Sequence, residues 1–111
     1  MMNSVTLIGR LTRDPEVRPT SSSTVATLSV ATDRVKLDGE GRTFKENGYT
    51  AKETEFHRVT CFGNIAKSVG EHKGKGDMIA VEGRLHYTQW TDKDGVDRYG
   101  CEVIAERVHF V

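Results

Sequence analysis

Along most of this chain, hydrophobic residues recur at every second position, in short runs separated by charged and glycine-rich stretches. That period belongs to strands with one face buried and one exposed. From Val5 to Leu11, Val5, Leu7 and Leu11 fall on one side and Thr6 and Arg10 on the other. Gly9 sits inside the run, where glycine marks a bulge or a tight bend. "RDPEVRP" then reads as a turn, and "TVATLSVAT" (Thr24 to Thr32), rich in β-branched and small residues, as a second strand. "DRVKLDGEGRTFKENGYTAKE" is charged, glycine-studded and without sustained period, so it reads as a hairpin with a long mobile tip.

"TEFHRVTCFG" (Thr54 to Gly63) supplies the third strand, with Phe56, Arg58, Thr60 and Phe62 on one face and His57, Val59 and Cys61 on the other. "FGNIAKSVGEHKGKG" breaks the alternation. Ile65, Ala66 and Val69 share a helical face, Asn64 is placed to cap a short helix, and Gly74 and Gly76 to end it. In "DMIAVEGRLHYTQW", Ile79, Val81, Leu85 and Tyr87 lie opposite Glu82, Arg84, His86, Thr88 and Trp90. Asp94-Gly95 is a hairpin signal, and "YGCEVIAERVHFV" closes the chain as a fifth strand. Five strands with one helix between the third and fourth is the order of an all-β, five-stranded OB-fold Greek-key barrel. On pattern alone, an SH3-like barrel or an open meander has similar strands.

Composition adds bounds rather than a partner. The 111 residues make one domain, 1–111, with enough chain for a modest core. Sixteen basic residues balance sixteen acidic ones, so any contact with nucleic acid must rest on where the cations are placed. Cys61 and Cys101 lack metal-ligand spacing and fall in apparent strands, which reads as two reduced, buried thiols. The start "MMNSVTLIGR" has no signal-peptide pattern, and no apolar run is long enough to span a membrane, so a soluble intracellular protein is expected.

The candidate chemistry lies on two strands. Phe56, Arg58 and Phe62 share a face of the third, and Arg84, His86 and Trp90 share a face of the fourth. In each the opposite face already holds core residues. Exposed rings beside cations suit single-stranded nucleic acid, whose unstacked bases offer apolar faces and whose phosphates take Lys and Arg. For Phe62 or Trp90 alone, a small second core or a subunit interface is an equal alternative. Arg10, Arg18, Lys67, Lys73, Lys75 and Arg98 are weaker candidates, individually ordinary surface charge and collectively a phosphate track.

Catalysis is not expected. His57 and Cys61 are four residues apart on one strand, roughly 13 Å, far beyond the reach of a nucleophile and its base. His72, His86 and His109 are scattered over different elements and make no metal site, and no P-loop, dinucleotide fingerprint or CxxC is present, so neither metal nor cofactor is expected.

The blocks "NSVTLIGRLTRDPEVR", "TEFHRVTCFGNIA", "GDMIAVEGRL" and "QWTDKDGVDRY", in this order along nearly the whole chain, resemble the bacterial-type single-stranded DNA-binding proteins. The resemblance implies an OB fold, binding of single-stranded DNA with little sequence preference, and a homotetramer. It places Phe56, Phe62 and Trp90 at base-stacking positions, Arg58 nearby on the phosphate path, and His57 at a subunit interface. It implies work in replication, recombination or repair, in a bacterial cytoplasm at the nucleoid. Phe56 stands where the family often has tryptophan, Val35 where a further aromatic is expected, and His86, Thr88 and Gln89 where basic residues are frequent. These departures imply weaker binding per domain, with Phe44 or Tyr49 as substitute platforms. Members usually continue into a flexible tail with acidic residues and a terminal aromatic that recruits partner enzymes. The sequence stops at Val111, which reads either as a shortened chain or as a protein without the tail; in the second case tail-mediated partners are doubtful and a phage, plasmid or specialised source is in keeping. The rival is a primosomal OB-fold module that works mainly through protein contacts.

Overall fold

The computed structural model describes residues 1–111. Its strands are β1 (Val5–Leu11), β2 (Glu16–Pro19), β3 (Thr24–Val35), β4 (Lys45–Glu46), β5 (Tyr49–Thr50), β6 (Lys52–Phe62), β7 (Met78–Thr91) and β8 (Asp97–Phe110), with one helix, α1 (Gly63–His72). The main sheet runs β1-β7-β8-β6-β3-β2, and β1 also pairs with β3. That extra pairing closes β1, β3, β6, β7 and β8 into the five-stranded barrel expected of an OB fold, with α1 between its third and fourth strands.

Closure happens at Arg10 and Leu11, where β1 leaves β7 and takes up β3. Gly9 makes this corner. A Cβ there would stand 2.2 Å from the carbonyl oxygen of Ala31, so only glycine lets β3 come this close. The core comprises Leu11, Leu28, Val30, Val59, Cys61, Val69, Ile79, Val81 and Val103, with Ala26, Ala66 and Ala105 filling the gaps. Ala66 and Val69 come from the helix, whose apolar stripe covers one end of the barrel, and Ile65 packs half-buried beside them. Each large aliphatic side chain buried here stabilises the fold by about 1.5–3 kcal/mol.

Two hairpins overhang the barrel. β3 and β6 pair from Val25↔Phe62 out to Val35↔Lys52, and the miniature hairpin β4–β5 crowns their tip. Its turn is Asn47-Gly48, with φ of 52° and 84°. Both residues in the left-handed region is the type I′ geometry that two-residue hairpins prefer. Arg34 on β3 meets Glu53 and Glu55 across the pair. β7 and β8 form the second arm, closed by the turn at Asp94-Gly95 as its dipeptide predicts.

Four expectations need correction. "RDPEVRP" is not all turn, because Glu16–Pro19 pairs with Thr24–Thr27 as an edge strand, a position where Pro19 costs no ladder bond. Asn64 does not cap α1. Phe62 holds that position and makes no side-chain cap bond, and Asn64 lies inside the first turn. The helix ends at His72, before the glycines, with Lys73 as its C-cap. Cys101 is exposed while Cys61 is buried, because the part of β8 that carries Cys101 lies in the overhanging arm. Tyr87, opposite Cys101, is exposed for the same reason.

Candidate nucleic-acid interface

Residues directly opposite one another in a sheet share a face, so the register extends each strand's outer face to its neighbours. From β7, Arg84, His86, Thr88 and Trp90 face Ile104, Glu102, Gly100 and Arg98 of β8. Thr60 of β6 is level with Ile104, which puts Phe56, Arg58 and Phe62 on that same surface. Phe62 and Thr60 then lead across Val25 and Thr27 of β3 to Arg18 and Glu16 of β2. One surface thus crosses five strands. The two aromatic sets read separately from the sequence belong to it.

The surface is hollowed into a cleft of about 500 Å³, whose walls include Arg18, Arg58, Phe62, Thr88, Trp90 and Glu102. Phe56, Phe62 and Trp90 are 68%, 49% and 51% exposed, and none joins the core cluster. This excludes the second-core alternative for Phe62 and Trp90 within a single chain. Rings exposed to this degree keep about half or more of their surface free for a base.

Gly100 was missed by reasoning from sequence, although a glycine inside "YGCEV" was a visible signal for close approach. A Cβ on it would lie 2.8 Å from Thr88 Oγ1 and 3.1 Å from Trp90 Cζ3. The indole therefore rests across a gap in β8 that only glycine leaves open. Glu102 was missed too, since nothing local marks an acidic residue as part of a basic surface. It stands mid-cleft, accepts a 2.8 Å hydrogen bond from Thr60 Oγ1, and has Oε2 3.5 Å from Arg58 Nε.

The weaker cations separate. Arg98 sits opposite Trp90 but donates through Nε to Asp92 Oδ2 at 2.9 Å, bracing the turn of the arm. That bond and the backbone N–H groups of Val96 and Asp94 hold the Asp92 carboxyl below the usual carboxylate range, the Val96 N–H contributing most. Arg10, Lys73 and Lys75 gather around the α1–β7 connection and do not line the cleft. Arg10 donates to the Gly76 carbonyl at 3.0 Å, Lys73 Nζ lies 5.2 Å from the Phe110 ring centroid, and the Lys75 backbone N–H donates to Asp14. At the tip of the β3–β6 arm, Tyr49 is exposed and Phe44 half-buried.

His57 faces away from the cleft, half-buried and level with Val30, with Nε2 2.8 Å from Thr32 Oγ1. Burial pushes the Cys61 thiol up to about 11, so it carries no thiolate near neutrality and behaves as a small apolar core residue. No cluster of three or more His, Cys, Asp and Glu side chains is arranged to hold a metal ion.

A closed five-stranded barrel with an exposed aromatic cleft defines a single-strand-binding OB domain, and the family model described as "Single-strand binding protein family" matches residues 2–111. The chain belongs to that family. It is 40% identical over 111 residues to "Single-stranded DNA-binding protein 1" of Xylella fastidiosa (strain 9a5c), covering 99% of this chain and 77% of the relative. It is 34% identical to "Single-stranded DNA-binding protein" of X. fastidiosa (strain Temecula1 / ATCC 700964), over 99% of this chain but only 63% of that protein. Among solved structures, "Plasmodium falciparum SSB complex with ssDNA" superposes with a TM-score of 0.85 at 24% identity, over 100% of this chain and 96% of that one. At that identity the likeness speaks for the fold.

Proposed function

We propose that this chain binds and coats single-stranded DNA with little sequence preference, as a non-enzymatic protein of replication, recombination or repair. The observation that carries the reading is the convergence of Phe56, Phe62 and Trp90, all exposed, with Arg18, Arg58 and Arg84 on one surface. Bases stack on the three rings, each contributing about 1–3 kcal/mol, and the arginines take phosphates. Every base has a π-face, which is why stacking tolerates sequence. Family membership and the printed names of the Xylella relatives support the same reading.

The acting unit in this proposal is a homo-oligomer, a tetramer, in the bacterial cytoplasm at the nucleoid. Its support is the outer edge of β1, unpaired from Val5 to Gly9, together with exposed Ile8 and half-buried His57. The deciding experiment is a fluorescence titration with oligo-dT, reading Trp90, the one tryptophan in the chain. Quenching that saturates, and loses affinity in the Phe62→Ala variant, is the expected result. Absence of quenching together with unchanged affinity in Trp90→Ala removes Trp90 from the interface.

A further inference from the structure

The arginine nearest the middle of the cleft is already occupied. Arg58 Nε stands 3.5 Å from Glu102 Oε2, and the two side chains differ sharply in exposure, 62% for Arg58 against 16% for Glu102. The carboxylate is also tied down, because the same Oε2 accepts the Thr60 hydroxyl at 2.8 Å and Thr60 is itself buried. An arginine on a flexible stem is thus held by an anion that is fixed in the floor of the sheet. Arg18, in the same cleft, has no such partner.

We infer that Glu102 is a built-in competitor of the DNA phosphate for Arg58, and so sets how readily the strand is released. This deepens the reading of the cleft as a single-stranded DNA site and rests on it. The physics is a displacement. A phosphate approaching Arg58 must share the guanidinium with a carboxylate that cannot leave, so the gain is smaller than for a free arginine. Because Glu102 offsets part of the charge of Arg58, that arginine neutralises its phosphate less fully, releases fewer of the counterions condensed on the DNA, and adds less than a full phosphate contact to the salt dependence. Binding stays moderate, and an exchangeable coat needs a strand that can come off.

The test is Glu102→Gln, which keeps the shape and the acceptor for Thr60 but removes the charge. Affinity for oligo-dT rises about three- to fivefold, as expected when a guanidinium is released from an exposed ion pair to meet a phosphate. The increase appears as slower dissociation, and the slope of log K against log salt steepens by about 0.7, one more phosphate contact on a single strand. Glu102→Ala moves both readouts the same way, and circular dichroism melts establish that each variant is folded. In the Arg58→Ala background the Glu102→Gln gain falls to less than about twofold. A gain that persists in full there, an unchanged salt slope, or weaker binding by Glu102→Gln overturns the competitor role while leaving the DNA site intact. Wild-type protein that fails to bind oligo-dT at all overturns the reading of the cleft itself.

Discussion

Trp90 and Gly100 act as a pair. The ring rests over Gly100, where β8 offers no side chain, so a residue without a side chain determines how closely the platform approaches the strand. Gly100→Val is expected to push the indole off β8 and reduce oligo-dT affinity towards that of Trp90→Ala, with melting nearly unchanged because the arm carries little core. Fluorescence titration and a thermal melt on the same sample check both halves. Trp90→Ala itself should cost about 1–3 kcal/mol of binding, the usual loss for one stacking platform. Arg18→Ala is expected to weaken binding to all sequences about equally and to make the salt slope shallower by about 0.7, as for any single phosphate contact.

At the scale of elements, the barrel corner and the arm turn fail in different ways. Gly9→Ala puts a methyl against the Ala31 carbonyl where β1 changes partners, and a backbone atom has nowhere to go. A loss of about 2–4 kcal/mol in urea unfolding is expected, at the severe end for one methyl because it strikes backbone in the core. The β7–β8 turn instead depends on a charge. Asp92 has its folded pKa lowered, chiefly by the Val96 N–H and then by Arg98, so its contribution is present above the carboxyl's ordinary pKa. It is lost as pH falls through the lower, folded value. Amide protection at Val96 and Asp94 should therefore drop on acidification below about pH 4, and Asp92→Asn should abolish that dependence.

For the whole molecule, the proposed assembly gives a separable test. His57 points away from the cleft, so His57→Tyr is expected to weaken the oligomer in sedimentation while leaving affinity per domain within about twofold, as for a site with no shared partners. A tetramer by native mass spectrometry accords with the coating role, and a dimer accords with the primosomal alternative. The neutral net charge is also a matter of the whole fold. Arg18, Arg58 and Arg84 share one surface with Glu16 and Glu102, whereas Glu53 and Glu55 are spent on Arg34 along the arm, so a chain with equal numbers of both signs still gathers arginines on its aromatic face. The two faces of β6 and β7 were legible in the chain because alternation is local: a residue's side of a strand follows from its position alone. The Asp94-Gly95 turn and the apolar stripe of α1 were legible for the same reason. Asn47-Gly48 was equally local, but the charge around it masked a hairpin signal that the structure bears out. Which strands lie side by side is a different kind of fact. It brings Glu102 beside Arg58 from 44 residues away in sequence, sets Gly100 under Trp90, carries Arg10, Lys73 and Lys75 to the far connection, and leaves Cys101 on an arm outside the core. No local pattern encodes it, because period 2 specifies a face and never a neighbour; closure of the barrel, driven by burial of the whole core at once, supplies the neighbours.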